Sequence, residues 1–353
     1  MPNEKSNNDK ILKEIKGASE YLDLSEFVIE KDLYVTQAIS IVSKISHDLY
    51  DLVFQGGTSL AKAHRIIERM SEDCDFRIRF KESEDKLSKE FKRKALRKFR
   101  HDLVDALKAK GFLIEENAVR VRNEGQFMGI RANYPPIFPH IESMKPYIAL
   151  EFFLAEVKAN PEIKPVTTLI RQVFGDKITH PQFPVNSVAI IETAAEKWVG
   201  LTRRVATSRH RSHYRDANLV RHLYDLYKIN ELGRFSEDFN ALVPRIVLDD
   251  RKHYKNHNDD YYRDPVGEIK RAVDELAESN EWHDNWHKFV DTMVFAKQKP
   301  SYQDVLGNLH EKTNLVLGEL AKVDFVCDAP KQTEVKSTIK KPVSPPTPFD
   351  EEG

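Results

Sequence analysis

Two aspartates separated by one residue are the first candidates for chemistry. In the segment DCDFRIRF (73–80), charged and apolar residues alternate, which predicts a strand that directs Asp73 and Asp75 to the same face. Paired carboxylates repel each other unless a cation neutralises them, and Mg²⁺ (or Mn²⁺) is commonly held by one or two carboxylates together with substrate phosphates. The pair therefore predicts a metal site for phosphoryl-transfer chemistry. The alternative is the solvated face of an edge strand.

A third carboxylate lies inside an apolar run. The segment YIALEFFL (147–154) predicts a buried strand in which Glu151 is the one charged residue. A buried charge without a partner is costly, so a third metal ligand beside Asp73 and Asp75 is one explanation. The other is a glutamate at an exposed end of the strand.

A glycine pair lies upstream of these carboxylates. The short apolar run 52–54 ends at Gly56 and Gly57, and a helix is predicted from Thr58 to about residue 69. The bare N–H groups of such a turn can receive a phosphate, and an ordinary turn is the alternative.

The elements that must position these residues form an α/β pattern with a predicted mixed sheet. The predicted domains are N-terminal helices (1–49), a core (50–185), a helical lobe (186–327) and a disordered proline-rich tail (328–353). The remaining predictions are helices within 8–48, the second starting near Ser25, a charged helix at about 86–110 with Leu87, Phe91, Ala95, Leu103 and Leu107 inward, and a β pair at 118–123 and 127–134.

Composition bounds the cellular setting. The 353 residues are 40% hydrophobic and 31% charged, an ordinary globular mixture. Cys74 and Cys327 are too few for a disulfide framework or a cysteine-based zinc site, which favours a reducing compartment. The N-terminus is polar and no apolar run reaches the roughly 20 residues that span a bilayer. We therefore expect a cytoplasmic protein without a membrane partner.

The run GGTSLAKAHRIIERMSEDCDF (56–76) resembles the core signature of DNA-polymerase-β-like nucleotidyltransferases. More narrowly, it resembles the AbiEii/AbiGii toxin family of abortive-infection and toxin–antitoxin systems. Two further blocks follow in order, TAAEKWVGLTR (193–203) and RHLYDL (221–226). The resemblance covers roughly residues 50–230, and residues 231–325 match no pattern we can name. The matches of the first block are Gly56, Gly57, Thr58, Leu60, Lys62, Arg69, Ser71, Asp73 and Asp75.

The resemblance implies a polymerase-β-like core, NTP as substrate and a cognate antitoxin as partner. It also implies a role on the triphosphate for Lys197, and one for Asp225 in orienting Lys197 or contacting the nucleotide. Without it, Lys197 is a solvated lysine, and Asp225 is a helix-surface residue paired with Arg221. Glu151 stands where relatives usually carry aspartate, and the stretch 201–221 is longer than usual. The nucleotide-binding residues predicted in this way are Gly56, Gly57, Thr58, Ser59, Lys62 and Arg69.

Three of these residues have alternative roles. The Ser71 hydroxyl can contact a phosphate oxygen or cap the turn before the strand. Lys62 and Arg69 can hold phosphate or pair with Glu68 and Glu72.

Two basic clusters flank the predicted site. The helix at 86–110 contributes Arg93, Arg97 and Arg100, and the acid-free run 197–215 includes Arg209 and Arg211. Such clusters indicate a polyanion such as tRNA, although a charged run is also typical of a solvated helix face. The segment RKHYKNHNDDYYRD (251–264) either stacks unpaired bases or is a plain polar loop.

These observations lead to one functional hypothesis. We expect a toxin-type nucleotidyltransferase that moves NMP from an NTP to an acceptor, and the resemblance implies the 3′ end of tRNA in first place. One alternative is a nucleotidyltransferase that modifies a protein hydroxyl. The other is a catalytically idle regulator that binds nucleotide or RNA, against which the intact Asp73, Asp75 and Lys197 argue.

Overall fold

A mixed sheet is the centre of the molecule. The computed structural model describes residues 2–325 except 46–47, 83–85, 143, 234 and 236, with the backbone alone for 2–8. The strands in this part of the chain are β1 (Tyr50–Gln55), β2 (Asp73–Phe80), β3 (Val119–Arg122), β4 (Phe127–Asn133), β5 (Tyr147–Leu154), β6 (Glu162–Val166) and β7 (Phe183–Ser187). Their order is β3-β4-β5-β2-β1-β7-β6. Strand β2 runs parallel to β5, β1 runs parallel to β7, and the other neighbours are antiparallel.

Helices precede, interrupt and follow the sheet, as the sequence predicts. Within the same described residues they are α1 (Pro2–Leu22), α2 (Glu26–Ser43), α3 (Gly56–Lys62), α4 (Lys89–Ala109), α5 (Leu169–Phe174), α6 (Ile190–His210), α7 (Val220–Glu231), α8 (Glu237–His253), α9 (Asp259–Arg263), α10 (Pro265–Glu278), α11 (Asn280–Met293) and α12 (Tyr302–Leu320). Ser25 occupies the N-cap of α2. The predicted disordered tail, 328–353, lies outside the described residues.

The two faces of the sheet differ in chemistry. Cys74, Phe76 and Ile78 of β2 point to one face, where α2 and α4 cover them in a shared apolar core. The intervening residues Asp73 and Asp75 point to the other face, because strand side chains alternate. The sequence pattern therefore predicted both the strand and its two faces correctly.

The helices from α6 onward form a second apolar core around Trp198, Trp282 and Trp286, which are each about 1% exposed or less. Leu60 of α3 and Ile67 also belong to this core. The segment between α3 and β2 therefore joins the sheet to the helical lobe.

That segment departs from the prediction. The helix predicted from Thr58 to about residue 69 ends at Lys62, and Arg65 adopts a left-handed conformation with φ of 56°. The chain then pairs with the residues after α11: the Met70 N–H donates to the Met293 carbonyl at 2.8 Å, and the Phe295 N–H donates to the Glu68 carbonyl at 3.0 Å. Tertiary pairing with a distant segment thus replaces the last helical turns.

The other predicted elements agree with the structure to within a few residues. The hairpin turn of β3 and β4 contains Asn123 and Glu124 in left-handed conformations, followed by Gly125 with φ of 99°. One predicted core residue is wrong: Phe91, in the first turn of α4, is 39% exposed. No helix among the described residues is long and apolar enough to cross a membrane.

Candidate active site

The three predicted carboxylates lie on one face of two adjacent strands. Asp75 of β2 is the register partner of Glu151 of β5, and Asp73 lies one pleat away on the same face. Strand β2 is interior to the sheet, and Glu151 is mid-strand with 6% exposure. An edge-strand pair and an exposed-end glutamate, the two alternatives, are therefore wrong.

Burial and mutual repulsion raise the pKa values of two of these carboxylates. Burial, followed by the charges of Glu151 and Asp73, raises the pKa of Asp75 well above its ordinary value. Burial and Asp73 likewise raise the pKa of Glu151 to about 7. The site therefore favours any cation that can share these oxygens.

The glycine pair is required by close packing around the carboxylates. Gly56 has φ of 78°, and a Cβ on it would lie 2.3 Å from Asp75 Oδ2. A Cβ on Gly57 would lie 2.6 Å from Arg69 Nη2 and 2.8 Å from Ser71 Oγ. A side chain at either glycine would displace a candidate site residue.

The hydroxyls beside this turn are turned inward. Thr58 Oγ1 lies 2.9 Å from Ser71 Oγ and also donates to the carbonyl of Asp73. Ser71 is thus bonded to the turn, as its capping alternative predicted. Thr58 and Ser59 are buried, at 0% and 1% exposure, so their side chains face the protein interior and away from solvent. This placement does not support nucleotide binding through these two side chains, and their predicted role through the backbone N–H groups stays a prediction.

Lys62 is a structural residue. It is 6% exposed and forms an ion pair with Asp32 of α2, whose other carboxylate oxygen accepts from the N–H of Leu169 at 2.7 Å. Because α3 ends at Lys62, its side chain turns back toward α2. The alternative pairing with Glu68 or Glu72 is therefore wrong, and the ion pair with Asp32 does not support the predicted phosphate contact.

A buried network joins Arg69, Lys197 and Asp225. Arg69 donates to both oxygens of Asp225 at 2.7 Å, and Lys197 Nζ lies 2.8 Å from Asp225 Oδ2. Asp225 has 0% exposure, so the surface-aspartate and solvated-lysine alternatives are both wrong. Glu68 and Glu72 are likewise not the partners of Arg69.

The network carries a net positive charge next to the carboxylates. Burial opposes ionisation of Asp225, but Arg69 and Lys197 hold its pKa below the ordinary value. Burial lowers the pKa of Lys197 despite Asp225, and burial together with the charge of Lys197 lowers that of His222 well below its ordinary value. His222 Nδ1 lies 3.5 Å from Lys197 Nζ. Two cations thus share one aspartate, which leaves a positive charge for an anionic substrate.

Sequence reasoning missed the arginine that joins the sheet to α6. Arg77, on the same strand face as Asp75, donates to Gln55 at 2.6 Å, to the Glu156 carbonyl at 2.8 Å and to Glu192 at 2.6 Å, and it also pairs with Glu196. Its place in the alternating pattern of β2 was a signal that could have found it. Lys145, which contacts Asp73, lies between strands and had no such signal.

The predicted basic clusters are only partly available. In the run 197–215, Arg209 lies 3.5 Å from Glu275 and 4.0 Å from Glu268 of α10, whereas Arg211 is exposed. Helix α4 packs on the sheet face opposite the carboxylates, and its Arg93 pairs with Glu90. Arg97 and Arg100 form no ion pair with a described residue and line a groove of about 320 Å³ beside Val121 and Met128.

The segment 251–264 is largely structural. Arg251, Tyr261 and Tyr262 are buried at 1%, 0% and 9% exposure, so they are not presented to a nucleic acid. Tyr254 lies under the guanidinium of Arg203 at 3.7 Å. Base stacking by the two buried tyrosines is therefore wrong.

The site combines three features: carboxylates on a sheet face, a glycine turn packed against them and a buried cationic network beside them. The profile of the family "Nucleotidyl transferase AbiEii toxin, Type IV TA system" matches residues 42–308, and the chain belongs to this family. Among solved structures, the chain is similar to MenT4, a nucleotidyltransferase toxin from Mycobacterium tuberculosis H37Rv. That similarity has 17% identity and a TM-score of 0.45, and covers 87% of this chain and 98% of that one. The comparison with curated proteins gave no match.

The Lys62–Asp32 pair generates a stability prediction. Removing one partner of a buried pair leaves an uncompensated charge, so Lys62→Met should lower the free energy of unfolding by about 3 kcal/mol. The double variant Lys62→Met/Asp32→Asn should recover part of this loss. Denaturant unfolding measures both, and nucleotide titration of the folded fraction should show unchanged affinity. If Lys62→Met lost nucleotide affinity but kept the wild-type stability, Lys62 would be a phosphate-binding residue.

The raised pKa of Glu151 generates a pH prediction. Its pKa is about 7 in the folded protein against an ordinary value of 4.5, so its contribution favours folding below pH 4.5 and is lost as pH rises through 7. Metal-free protein should therefore lose up to about 3 kcal/mol of stability by pH 8 from this residue. Unfolding in EDTA between pH 5.5 and 8 should show a flatter decline for Glu151→Gln. The control Glu162→Gln, on β6, should retain the wild-type slope, and equal slopes for all three proteins would contradict the assignment.

Proposed function

We propose that the chain transfers a nucleoside monophosphate from an NTP to the 3′ end of tRNA and releases pyrophosphate. Family membership supplies the nucleotidyltransferase toxin class and implies an NTP substrate and an antitoxin partner. The observation that carries the proposal is the meeting of Asp73, Asp75 and Glu151 on one face with the Arg69–Asp225–Lys197 network nearby. The carboxylates can bind the metal ion of an NTP–metal complex, and the cationic network can bind its triphosphate.

The donor set fits Mg²⁺ or Mn²⁺ when the substrate completes it. All three side chains offer hard oxygens, and burial and mutual repulsion raise the pKa values of Asp75 and Glu151, which a bound cation would offset. Among the described residues no group of three or more His, Cys, Asp and Glu side chains is arranged to hold a metal ion unaided. A metal bound here would activate the acceptor hydroxyl and neutralise charge on the departing pyrophosphate. Asp73, Asp75 and Glu151 would share it with phosphate oxygens.

The protein's own residues would bind and orient the triphosphate. Lys197 has Asp225 as its partner, which orients the ammonium, and Arg69 holds Asp225 from the other side. Positive charge fixed beside the triphosphate stabilises the transition state, in which negative charge builds on the leaving oxygens. Asp225 would thus orient Lys197, and Gly56 and Gly57 would let Asp75, Arg69 and Ser71 approach closely.

An RNA acceptor is supported by charge on the same face. By strand register, Arg120 of β3 faces Gly129, which in turn faces Glu151. Arg122 occupies the next row on that face and lowers the pKa of Glu151. A polyanion crossing β3 and β4 would reach the carboxylates.

We place this reaction in the cytoplasm, within an abortive-infection defence against phage.

Label transfer tests the reaction. The purified protein, Mg²⁺ and each α-labelled NTP are incubated with total tRNA or with lysate protein. Asp73→Asn and Asp75→Asn should each reduce transfer at least about 100-fold, because a partly coordinated metal no longer aligns the reacting oxygens. Lys62→Met serves as a control outside the site, corrected for its folded fraction. Wild-type turnover by either aspartate variant would remove the metal assignment, and no transfer by wild type would favour an idle regulator.

Salt dependence and the labelled product together identify the acceptor. Arg120→Glu and Arg122→Glu, on the sheet face that carries the carboxylates, should weaken tRNA binding and flatten its salt dependence by about one unit of slope for each phosphate that is no longer neutralised. Arg209→Glu is the matched control, since Glu268 and Glu275 already engage its guanidinium. Filter binding across a salt series measures both. Binding without salt dependence, with label on protein, would instead support a protein-modifying nucleotidyltransferase.

A further inference from the structure

One lysine outside every predicted motif contacts a candidate metal ligand. Lys145 lies two residues before β5, and its Nζ is 2.8 Å from Asp73 Oδ1. Its side chain is half-buried, at 27% exposure. Lys145 and Asp73 thus form an ion pair at the carboxylate group.

The backbone of Lys145 is held in place from two sides. Its N–H donates to Glu72 Oε2 at 2.9 Å, and its carbonyl accepts from the ammonium of Lys31. Lys31 is 1% exposed and also forms an ion pair with Glu72. Because Glu72 immediately precedes Asp73, this buried pair fastens the lysine directly over the start of β2. The contact with Asp73 is therefore a built feature of the fold.

The ammonium occupies the region where a metal would share oxygens. It bonds Asp73, and its charge also lowers the pKa of Glu151 across the strand pair. A divalent cation bound by the same carboxylates would be repelled by the lysine at close range. The Lys145 ammonium and a metal ion therefore cannot both bind Asp73 Oδ1 without this electrostatic repulsion.

We propose that Lys145 is an internal cation that holds Asp73 until the metal arrives, and that metal binding displaces it. The inference rests on the proposed function, because it takes Asp73 as a metal ligand. The lysine keeps the repelling carboxylates partly neutralised in the metal-free protein and sets a threshold for metal binding. Loss of the ammonium then increases metal affinity, which is the opposite of what loss of a supporting residue does.

Direct Mn²⁺ binding tests this without reference to turnover. Electron paramagnetic resonance of free Mn²⁺ gives the dissociation constant for the full chain without nucleotide. Lys145→Met and Lys145→Gln should each bind Mn²⁺ about fivefold more tightly than wild type, which corresponds to release from a half-exposed ion pair. Lys145→Arg, which keeps the charge, should bind within about twofold of wild type. The matched control is Lys158→Met, since Lys158 has similar exposure and pairs with Asp249 on the surface.

The outcomes separate this inference from the proposed function. If Asp73→Asn does not change Mn²⁺ binding, the metal assignment itself fails. If Asp73→Asn abolishes binding but both neutral variants at Lys145 bind as wild type or more weakly, the metal site stands and displacement is wrong. Circular dichroism of each variant confirms folding, and the pair of neutral variants guards against an effect of one side chain's shape.

Discussion

Repulsion among three carboxylates on one sheet face is the constraint that the surrounding structure must offset. Asp75 and Glu151 are neighbours across a parallel strand pair, and Asp73 is one pleat away. The strands cannot move apart, because their opposite faces pack in the core with α2 and α4. Relief must therefore come from cations, and the protein brings them from separate elements: Lys145 before β5, and Lys197 and Arg221, on α6 and α7, whose charges lower the pKa of Asp75.

The same electrostatic arrangement holds the helical lobe to the sheet. Arg77 of β2 reaches Glu192 and Glu196 on α6, and Arg69 reaches Asp225 on α7. A buried ion pair contributes little net stability, since desolvation offsets much of its attraction, but it strongly disfavours arrangements that leave one partner alone. These pairs therefore act mainly to fix the position of the helical lobe against the sheet. They set the distance between the carboxylates on β2 and the cationic network around Lys197.

Charge clusters in the sequence and charge on the folded surface are different quantities. The run 197–215 contains no acid, yet Arg209 and Arg215 meet Glu275 of α10, and Arg204 meets Asp216 just beyond the run. Arg97 and Arg100 of α4 keep their charge unpaired within the described part of the chain, but on the far side of the sheet from Glu151. A surface for an anionic partner therefore has to be judged from ion pairs and sheet faces.

The sequence by itself determined the central strands and the identity of the carboxylates on them. Alternation in 73–80 specifies a strand with Asp73 and Asp75 on one face, because the period of side chains along a strand is two. The lone charge in 147–154 likewise marked Glu151. The alternation of residue types was sufficient to predict these strands and carboxylates, because each prediction depends only on residues within one element.

Only the tertiary structure decided which groups meet across elements. Nothing local shows that Arg69 would leave a predicted helix, pair beside Val294 and reach Asp225, 156 residues away. The same holds for Lys62 turning to Asp32 and for Lys145 lying on Asp73. The physical reason is that a buried charge is stable only beside a partner, and its partner is chosen by how distant segments pack, which no periodicity in the chain records.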